Sequence, residues 1–363
     1  MAAGPVMESV SSPPPSAWER NTKLIKAKCI KHHLPLGLLL ALLLAMAWDT
    51  PGIEVSKPTV GDFRVVQTIN VCVVFLISGV TLNTAELKNA VTSGVPALLY
   101  GMVAILIITA CFSYIALELP LEPREFRFGV ALFCCVPTTL SSGVVLVRAA
   151  KGNESMALLL TVATNLLGTL VTPFTLGLVL SAANVDLDTV ALLTKLLVTV
   201  LAPLLAGKAL LEAWAPVKGW VKANKQKLTM TSSLMIILVV WQSFSRSMDS
   251  LMEQNAGHVF ALILVVVVLH FAFLTVNFVA TKALRLDWPE SKTIMLMCSQ
   301  KTLPVAMSVL AYLPEKDVGA AGLVAIPCIV GHISQLFIDA FIAAKWGAAP
   351  PAGAAAAGTG AAA

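Results

Sequence analysis

The octapeptide Met297-Cys298-Ser299-Gln300-Lys301-Thr302-Leu303-Pro304 sets two hydroxyls, an amide and an amine inside an apolar run from about 293 to 312. An amine at that depth is costly unless it is paired or wet, and a proline interrupts the helical ladder just after it. The stretch therefore reads as a broken membrane helix lining a cavity. A second stretch, Cys135-Val136-Pro137-Thr138-Thr139-Leu140-Ser141-Ser142-Gly143, has the same character. A shift of 163 positions lays Cys135 on Cys298, Thr139 on Thr302 and Leu140 on Leu303. Two interrupted, polar-centred apolar segments, one in each half of the chain, are the pattern of a secondary transporter built from inverted repeats with its site near the midplane.

Three groups of side chains in this frame have chemistry to offer. Thr138, Thr139, Ser141 and Ser142 occupy the first break, and Thr161 and Asn165 follow four residues apart on one helix face. Their oxygens are hard, neutral ligands suited to a dehydrated alkali cation, while the same groups also serve membrane proteins as hydrogen-bonding contacts between helices. Ser299, Gln300, Lys301 and Thr302 form the second group. Lys301 is a structural cation held by a carboxylate or backbone carbonyls, a proton-exchanging amine, or an ammonium standing where a transported cation otherwise binds. The third group comprises Gln67 and Asn70, His270 and Asn277, and His332, Gln335 and Asp339. Thr302, Asn70 and His332 are candidate substrate-cavity residues, helix packing is the alternative role for the third group, and Asp339 is a candidate partner for Lys301.

The elements that must position these groups are apolar. Hydrophobic residues make up 57% of the 363, only 12% are charged, and the mean hydropathy is +0.84, whereas soluble domains carry about 25% charge. The chain is a polytopic membrane protein with room for about ten spans of ~20 apolar residues. The spans are expected near 34–48, 65–82, 95–117, 128–149, 156–180, 190–211, 229–244, 259–280, 293–312 and 319–344. Residues 1–30 and the Ala/Gly-rich 347–363 read as disordered, leaving repeats at 31–182 and 187–346. Most of the 25 Lys and Arg fall in one alternating set of connecting segments, including a basic loop from Lys218 to Lys227. The positive-inside rule then puts both termini in the cytoplasm. Five spans per half is an odd number, so the halves insert with opposite orientation. The expected fold is an all-α membrane protein of ten transmembrane helices, two inverted five-helix repeats with broken, crossing helices 4 and 9.

Other classes are disfavoured. The seven cysteines form no C-x-x-C and lie mostly in apolar segments, so small core- or lipid-facing residues are expected rather than a metal site. No phosphate-binding loop, G-x-S-x-G or H-E-x-x-H occurs, which argues against an enzyme, and no cofactor is expected beyond a sodium ion. The basic excess has a topological explanation and calls for no nucleic acid. Adjacent carboxylates are missing from the middle of span 5, which weakens a cation/proton antiporter. The Glu8- and Glu19-bearing N-terminus matches an arginine-rich, acid-poor transit peptide poorly, which favours the plasma membrane or an endomembrane over a plastid envelope.

The chain resembles the bile acid:sodium symporter family, in the branch that holds its orphan seventh member and plant sodium/metabolite cotransporters. The likeness rests on Val136-Pro137-Thr138-Thr139-Leu140-Ser141-Ser142-Gly143, on Lys151-Gly152-Asn153 through Thr161, Thr164-Asn165-Leu166-Leu167-Gly168 and Thr172-Pro173, and on Ser299-Gln300-Lys301-Thr302-Leu303-Pro304-Val305-Ala306. It implies a panel and a core domain, spans 4 and 9 crossing at the midplane, and two sodium ions around the crossing. Position by position it implies Ser142, Thr161 and Asn165 as ligands of one sodium and Gln300 of the other. A glutamate of the symporters falls on Leu296, an asparagine on Lys301 and another on Gly143, so the site differs by two charge units. The functional expectation is a secondary transporter of a small organic anion or metabolite, coupled to sodium, to protons or to neither. The alternative is a membrane regulator of cellular calcium entry that transports no solute.

Overall fold

A computed structural model of the chain describes residues 33–61, 63–82, 95–140 and 142–348. The termini expected to be disordered lie outside these residues, except that 347 and 348 close the last helix, and Ser141 also lies outside them. Helix α1 (His33–Ala47) bends by 104° into α2 (Thr50–Ser56). A two-residue hairpin, β1 (Thr59–Val60) and β2 (Phe63–Arg64), leads into α3 (Val65–Val80). Then come α4 (Val95–Glu118), α5 (Arg124–Cys135), α6 (Ser142–Ala149), α7 (Glu154–Ala182) and α8 (Thr189–Ala213). The second half continues with α9 (Ala215–Arg246), α10 (Met248–Met252), α11 (Ala256–Ala283), α12 (Trp288–Ser299), α13 (Leu303–Leu310), α14 (Glu315–Val318) and α15 (Ala321–Ala348).

The protein is an all-α multi-pass membrane protein. Among the described residues seven helical segments, counting α12 with α13 as one, are long and apolar enough to cross a bilayer, or eight if the bent α1–α2 pair is one span. The remaining expected spans fall short of such a length: α3 has 16 residues, and α5 and α6 have 12 and 8 on either side of an extended break.

One local expectation is corrected. The basic stretch from Lys218 to Lys227 is helical, within α9, with a kink at Asn224 (φ −111°, ψ 17°). Charge made it read as a loop, but lysine, alanine and glutamine are good helix formers that extend a helix past the bilayer surface. The Thr172-Pro173 pair does not break α7, which runs through Pro173 for 29 residues. A threonine hydroxyl supports the backbone there, Thr175 Oγ1 donating to Thr172 O, while Thr172 Oγ1 donates across to Cys135 O at the end of α5.

The helices pack as two bundles. In one, α9 lies along α1, α2 and α3, and α8 lies along α3. A Cβ at Gly79 would meet Leu204 O at 2.1 Å and one at Gly207 would meet Leu76 O at 2.3 Å. Helices α3 and α8 thus touch backbone to backbone, the close packing that small residues permit where lipid gives helices no hydrophobic drive to associate. The other bundle packs α4 on α5, α5 on α15, and α11 on α12 and α15, with α7 against α4, α6 and α12. Its centre holds the two breaks.

Candidate functional site

A helix that stops inside a bilayer must find partners for its freed carbonyls and amides, because no water is at hand. Helix α5 stops at an extended Val136 (ψ 154°) and α12 at an extended Gln300 (ψ 148°), and the two breaks partner each other. Thr302 N donates to Pro137 O (2.9 Å), and Thr138 Oγ1 donates to Met297 O (2.5 Å). Side chains of neighbouring helices take the rest. Asn165 Nδ2 donates to Thr138 O (3.0 Å), and Gln335 of α15 donates to Lys301 O (2.7 Å) while accepting from Lys301 N (2.9 Å). His332 Nδ1 lies 3.2 Å from the same Lys301 carbonyl. The unwound backbone is therefore rigidly specified although it belongs to no helix.

Lys301 is fully buried, and its ammonium donates to Ile105 O (3.0 Å), Thr109 Oγ1 (2.6 Å) and Val136 O (2.8 Å). Each of its three N–H bonds has an acceptor, and none is a carboxylate. Burying an ammonium costs several kcal/mol, while charge-assisted hydrogen bonds contribute about 1.5–3 kcal/mol each, so three bonds are of the size needed without a counter-ion. Two acceptors come from α4 at a π-helical turn, Ala104–Ile108, directly before Thr109. Such turns often mark functional positions in otherwise regular helices.

Gln300 faces the other way. Its Nε2 donates to Asp339 Oδ2 (2.7 Å), and Asp339 Oδ1 lies 2.9 Å from His270 Nε2 of α11. Its Oε1 accepts from Thr139 Oγ1 (2.6 Å), which in turn accepts from Gly143 N (3.0 Å) at the start of α6. Asp339 therefore does not meet the ammonium of Lys301; the two buried charges engage different helices. Gly143 sits against this oxygen pair, since a Cβ there would lie 2.7 Å from Thr139 Oγ1 and 3.1 Å from Gln300 Oε1.

The other candidates are distributed as follows. Thr161 and Asn165 lie one turn apart on α7, buried and turned toward the break, with Thr161 Oγ1 donating to Ala157 O (2.9 Å). Asn165 Oδ1 is buried with no hydrogen-bond partner among the described residues. Ser142 opens α6 and is half-buried. Ser299 points elsewhere, accepting from Asn277 Nδ2 (3.2 Å), whose Oδ1 accepts from Tyr100 OH (2.9 Å). Thr302 Oγ1 is buried without a partner among the described residues, as are Asn70 Nδ2 and Gln67 Oε1 on α3 in the other bundle. His332 is engaged with the backbone behind the break and with Gln335 Nε2 (3.0 Å).

The sequence pointed to Lys301 but not to Ile105, Thr109 or Tyr100. A lone threonine in an apolar run was the only signal for Thr109, and nothing in the sequence marks the π-helical turn. Among the described residues no group of three or more His, Cys, Asp or Glu is placed to hold a metal. The donor set at the crossing is instead oxygen-rich and nearly neutral, and one buried amide oxygen lacks a donor. That set fits a hard monovalent cation such as sodium and does not fit a tightly held transition metal.

Interrupted membrane helices that meet inside a bundle of apolar spans define the class of multi-pass secondary transporters. This chain belongs to the SBF-like CPA transporter family, whose model matches residues 32–348. It is 36% identical over 326 residues to the probable sodium/metabolite cotransporter BASS4, chloroplastic, of Oryza sativa subsp. indica, covering 87% of this chain and 75% of that one. The Arabidopsis thaliana protein of the same name is 35% identical over 306 residues, 81% of this chain and 70% of that one. Sodium/bile acid cotransporter 7 of Xenopus tropicalis is 25% identical over 285 residues, covering 76% and 80%.

Proposed function

We propose that the protein is a secondary active transporter that moves a small organic anion or metabolite by alternating access, with sodium as the coupling ion. The observation that carries this reading is the crossing, where two broken helices meet and the buried Asn165 Oδ1 is left without a donor. Counting α3, the α1–α2 pair and the interrupted α5–α6 pair as spans gives ten, five in 31–182 and five in 187–346, and loop charge puts both termini in the cytoplasm. The crossing bundle would rock against the α1, α2, α3, α8 and α9 bundle. The relatives named as sodium/metabolite and sodium/bile acid cotransporters support both the ion and the solute class, and the chloroplast names of the plant relatives support a plastid envelope beside the plasma membrane and endomembranes.

Asn165, Thr161 and Ser142 of α6–α7 would hold one cation, with Thr138, Thr139 and Gln300 completing the oxygen-lined crossing. Lys301 would stand where a second cation otherwise sits, its charge fixed to the chain. The solute would bind between the bundles once they rock apart, because the apolar void there, lined by Val71, Val74 and Phe75 of α3, Ile236 and Val239 of α9, and Pro304 and Met307 of α13, measures about 10 Å³, room for one water. Thr302 Oγ1 and Asn70 Nδ2 remain free to hydrogen-bond to it. Helix α13 begins at Leu303 and α6 at Ser142, so both offer the partial positive charge of an N-terminus to an anion.

Uptake of a panel of radiolabelled monocarboxylates, dicarboxylates and bile acids into proteoliposomes tests the reading, with sodium or choline outside. Sodium-stimulated uptake of at least one solute is expected, with loss on Asn165→Ala. Uptake of none, or full uptake by the variant, would reject it.

A further inference from the structure

The crossing contains one buried group that the proposed transport cycle leaves unused, the carboxylate of Asp339. It is fully buried, in a region where a carboxylate is stable only if its oxygens are engaged. The two oxygens are divided. One accepts from Gln300 Nε2 and the other lies against His270 Nε2, itself buried. Beyond Gln300 the same chain of bonds runs through Thr139 Oγ1 to Gly143 N. The carboxylate therefore stands one side chain away from the oxygens that face Gly143.

Neutral oxygens alone hold an alkali cation weakly inside a low-dielectric protein, because the ion loses its hydration shell and gains only dipoles in return. A nearby fixed negative charge changes that balance. The ammonium of Lys301 is spent on Ile105, Thr109 and Val136, and no other carboxylate among the described residues hydrogen-bonds to a residue of either break. Gln300 also transmits the charge geometrically: donating Nε2 to Asp339 turns Oε1 toward Thr139 and Gly143, the orientation in which an amide can ligate a cation.

We propose that Asp339 is the positioning residue that makes the oxygen pair of Gln300 and Thr139 part of a site for one monovalent metal cation, by orienting Gln300 and supplying the negative charge. His270 holds the carboxylate's other oxygen. The inference rests on the transporter reading above and assigns the charge on which that reading's ion site depends.

The test uses the full-length protein in detergent, with unfolding temperature followed against sodium chloride and with choline chloride holding ionic strength constant. Wild type is expected to be stabilised by sodium. Asp339→Asn, which keeps the size and can keep both hydrogen bonds, is expected to unfold in choline near the wild-type temperature but to need at least about tenfold more sodium for half-maximal stabilisation. A carboxylate with only a structural role would move the first quantity and not the second. Should Asp339→Asn not fold, the double variant Gln300→Glu with Asp339→Asn returns the charge to the cluster one side chain away. Restored sodium stabilisation supports the inference, and a folded double variant blind to sodium overturns it. An Asp339→Asn protein with the wild-type sodium midpoint overturns the inference while leaving the transporter reading intact. No response of wild type to any alkali cation removes the sodium coupling itself.

Discussion

Replacing Lys301 by Asn tests the idea that a fixed ammonium occupies the place of an ion. The substitution removes one positive charge and empties the position bounded by Ile105 O, Thr109 Oγ1 and Val136 O. Two unit charges about 4 Å apart repel by roughly 4 kcal/mol at an effective dielectric of ~20. Relief of that repulsion therefore strengthens cation binding nearby by up to about a thousandfold. Each ion that binds only the folded protein adds RT ln(1 + [L]/Kd), about 1.4 kcal/mol per tenfold rise in sodium above its Kd. Wild type with one ion should follow that slope, and a variant with two should approach ~2.8 kcal/mol per tenfold. The assay is chemical denaturation in detergent at a series of sodium concentrations and constant ionic strength, so that stability is read in kcal/mol rather than degrees. Equal slopes for wild type and Lys301→Asn would show that the lysine stands in for no ion and is a structural cation only.

Two further perturbations probe other parts of the site. Gly143→Ala places a Cβ 2.7 Å from Thr139 Oγ1, 2.8 Å from Met297 Sδ and 3.1 Å from Gln300 Oε1; overpacking of this kind costs about 1–3 kcal/mol, and sodium-dependent stabilisation should vanish with it. A sodium midpoint equal to wild type would mean that these oxygens are not ligands. Tyr312, just beyond α13, holds the bundles together at one end: its ring meets Phe63 edge-on at 5.6 Å, carries Lys195 Nζ at 5.4 Å, and its OH lies 3.4 Å from Thr68 Oγ1. Such ring contacts are each worth about 0.5–1.5 kcal/mol, so losing both in Tyr312→Ala should raise maleimide labelling of a Thr68→Cys protein by roughly 5–150-fold; an unchanged rate would show that this contact does not hold the bundles shut.

What the sequence made legible follows from how strongly the bilayer constrains composition. A polar centre such as Ser299-Gln300-Lys301-Thr302 inside an apolar run has few structural explanations, so both breaks could be located without coordinates. The partners of those residues were not legible, because they come from far along the chain. Lys301 reaches Ile105 and Thr109, and Asp339 reaches His270 and Gln300. Opposite charge suggested an Asp339–Lys301 pair, yet the extended backbone at 300–302 turns consecutive side chains to opposite sides, sending Gln300 toward α15 and Lys301 toward α4. Thr109 alone interrupts the apolar run from 102 to 112, and nothing in its residue types announces where the backbone widens. The helix start at Ala215 was missed for a related reason, since solvated lysines on a helix and in a loop look alike in composition.

The separation of these two charges bears on how the site would work. Had Lys301 and Asp339 paired directly, they would have neutralised one another, and the crossing would gain little by admitting an ion. Held apart, each engages groups of its own: two carbonyls and a hydroxyl for the ammonium, an amide and the His270 ring for the carboxylate. The ammonium also closes α4 onto the α5 break, so the positive charge is part of the scaffold and cannot leave with the solute. On the proposed reading, a cation arriving at the oxygens beside Gln300 would meet the field of Asp339 and would leave the crossing with an excess positive charge. An anionic solute bound between the bundles at the N-terminus of α13 would offset that excess. Ion and solute would then favour each other's binding through charge alone, with no direct contact between them, because a loaded pair is cheaper to enclose in a low-dielectric core than either partner by itself.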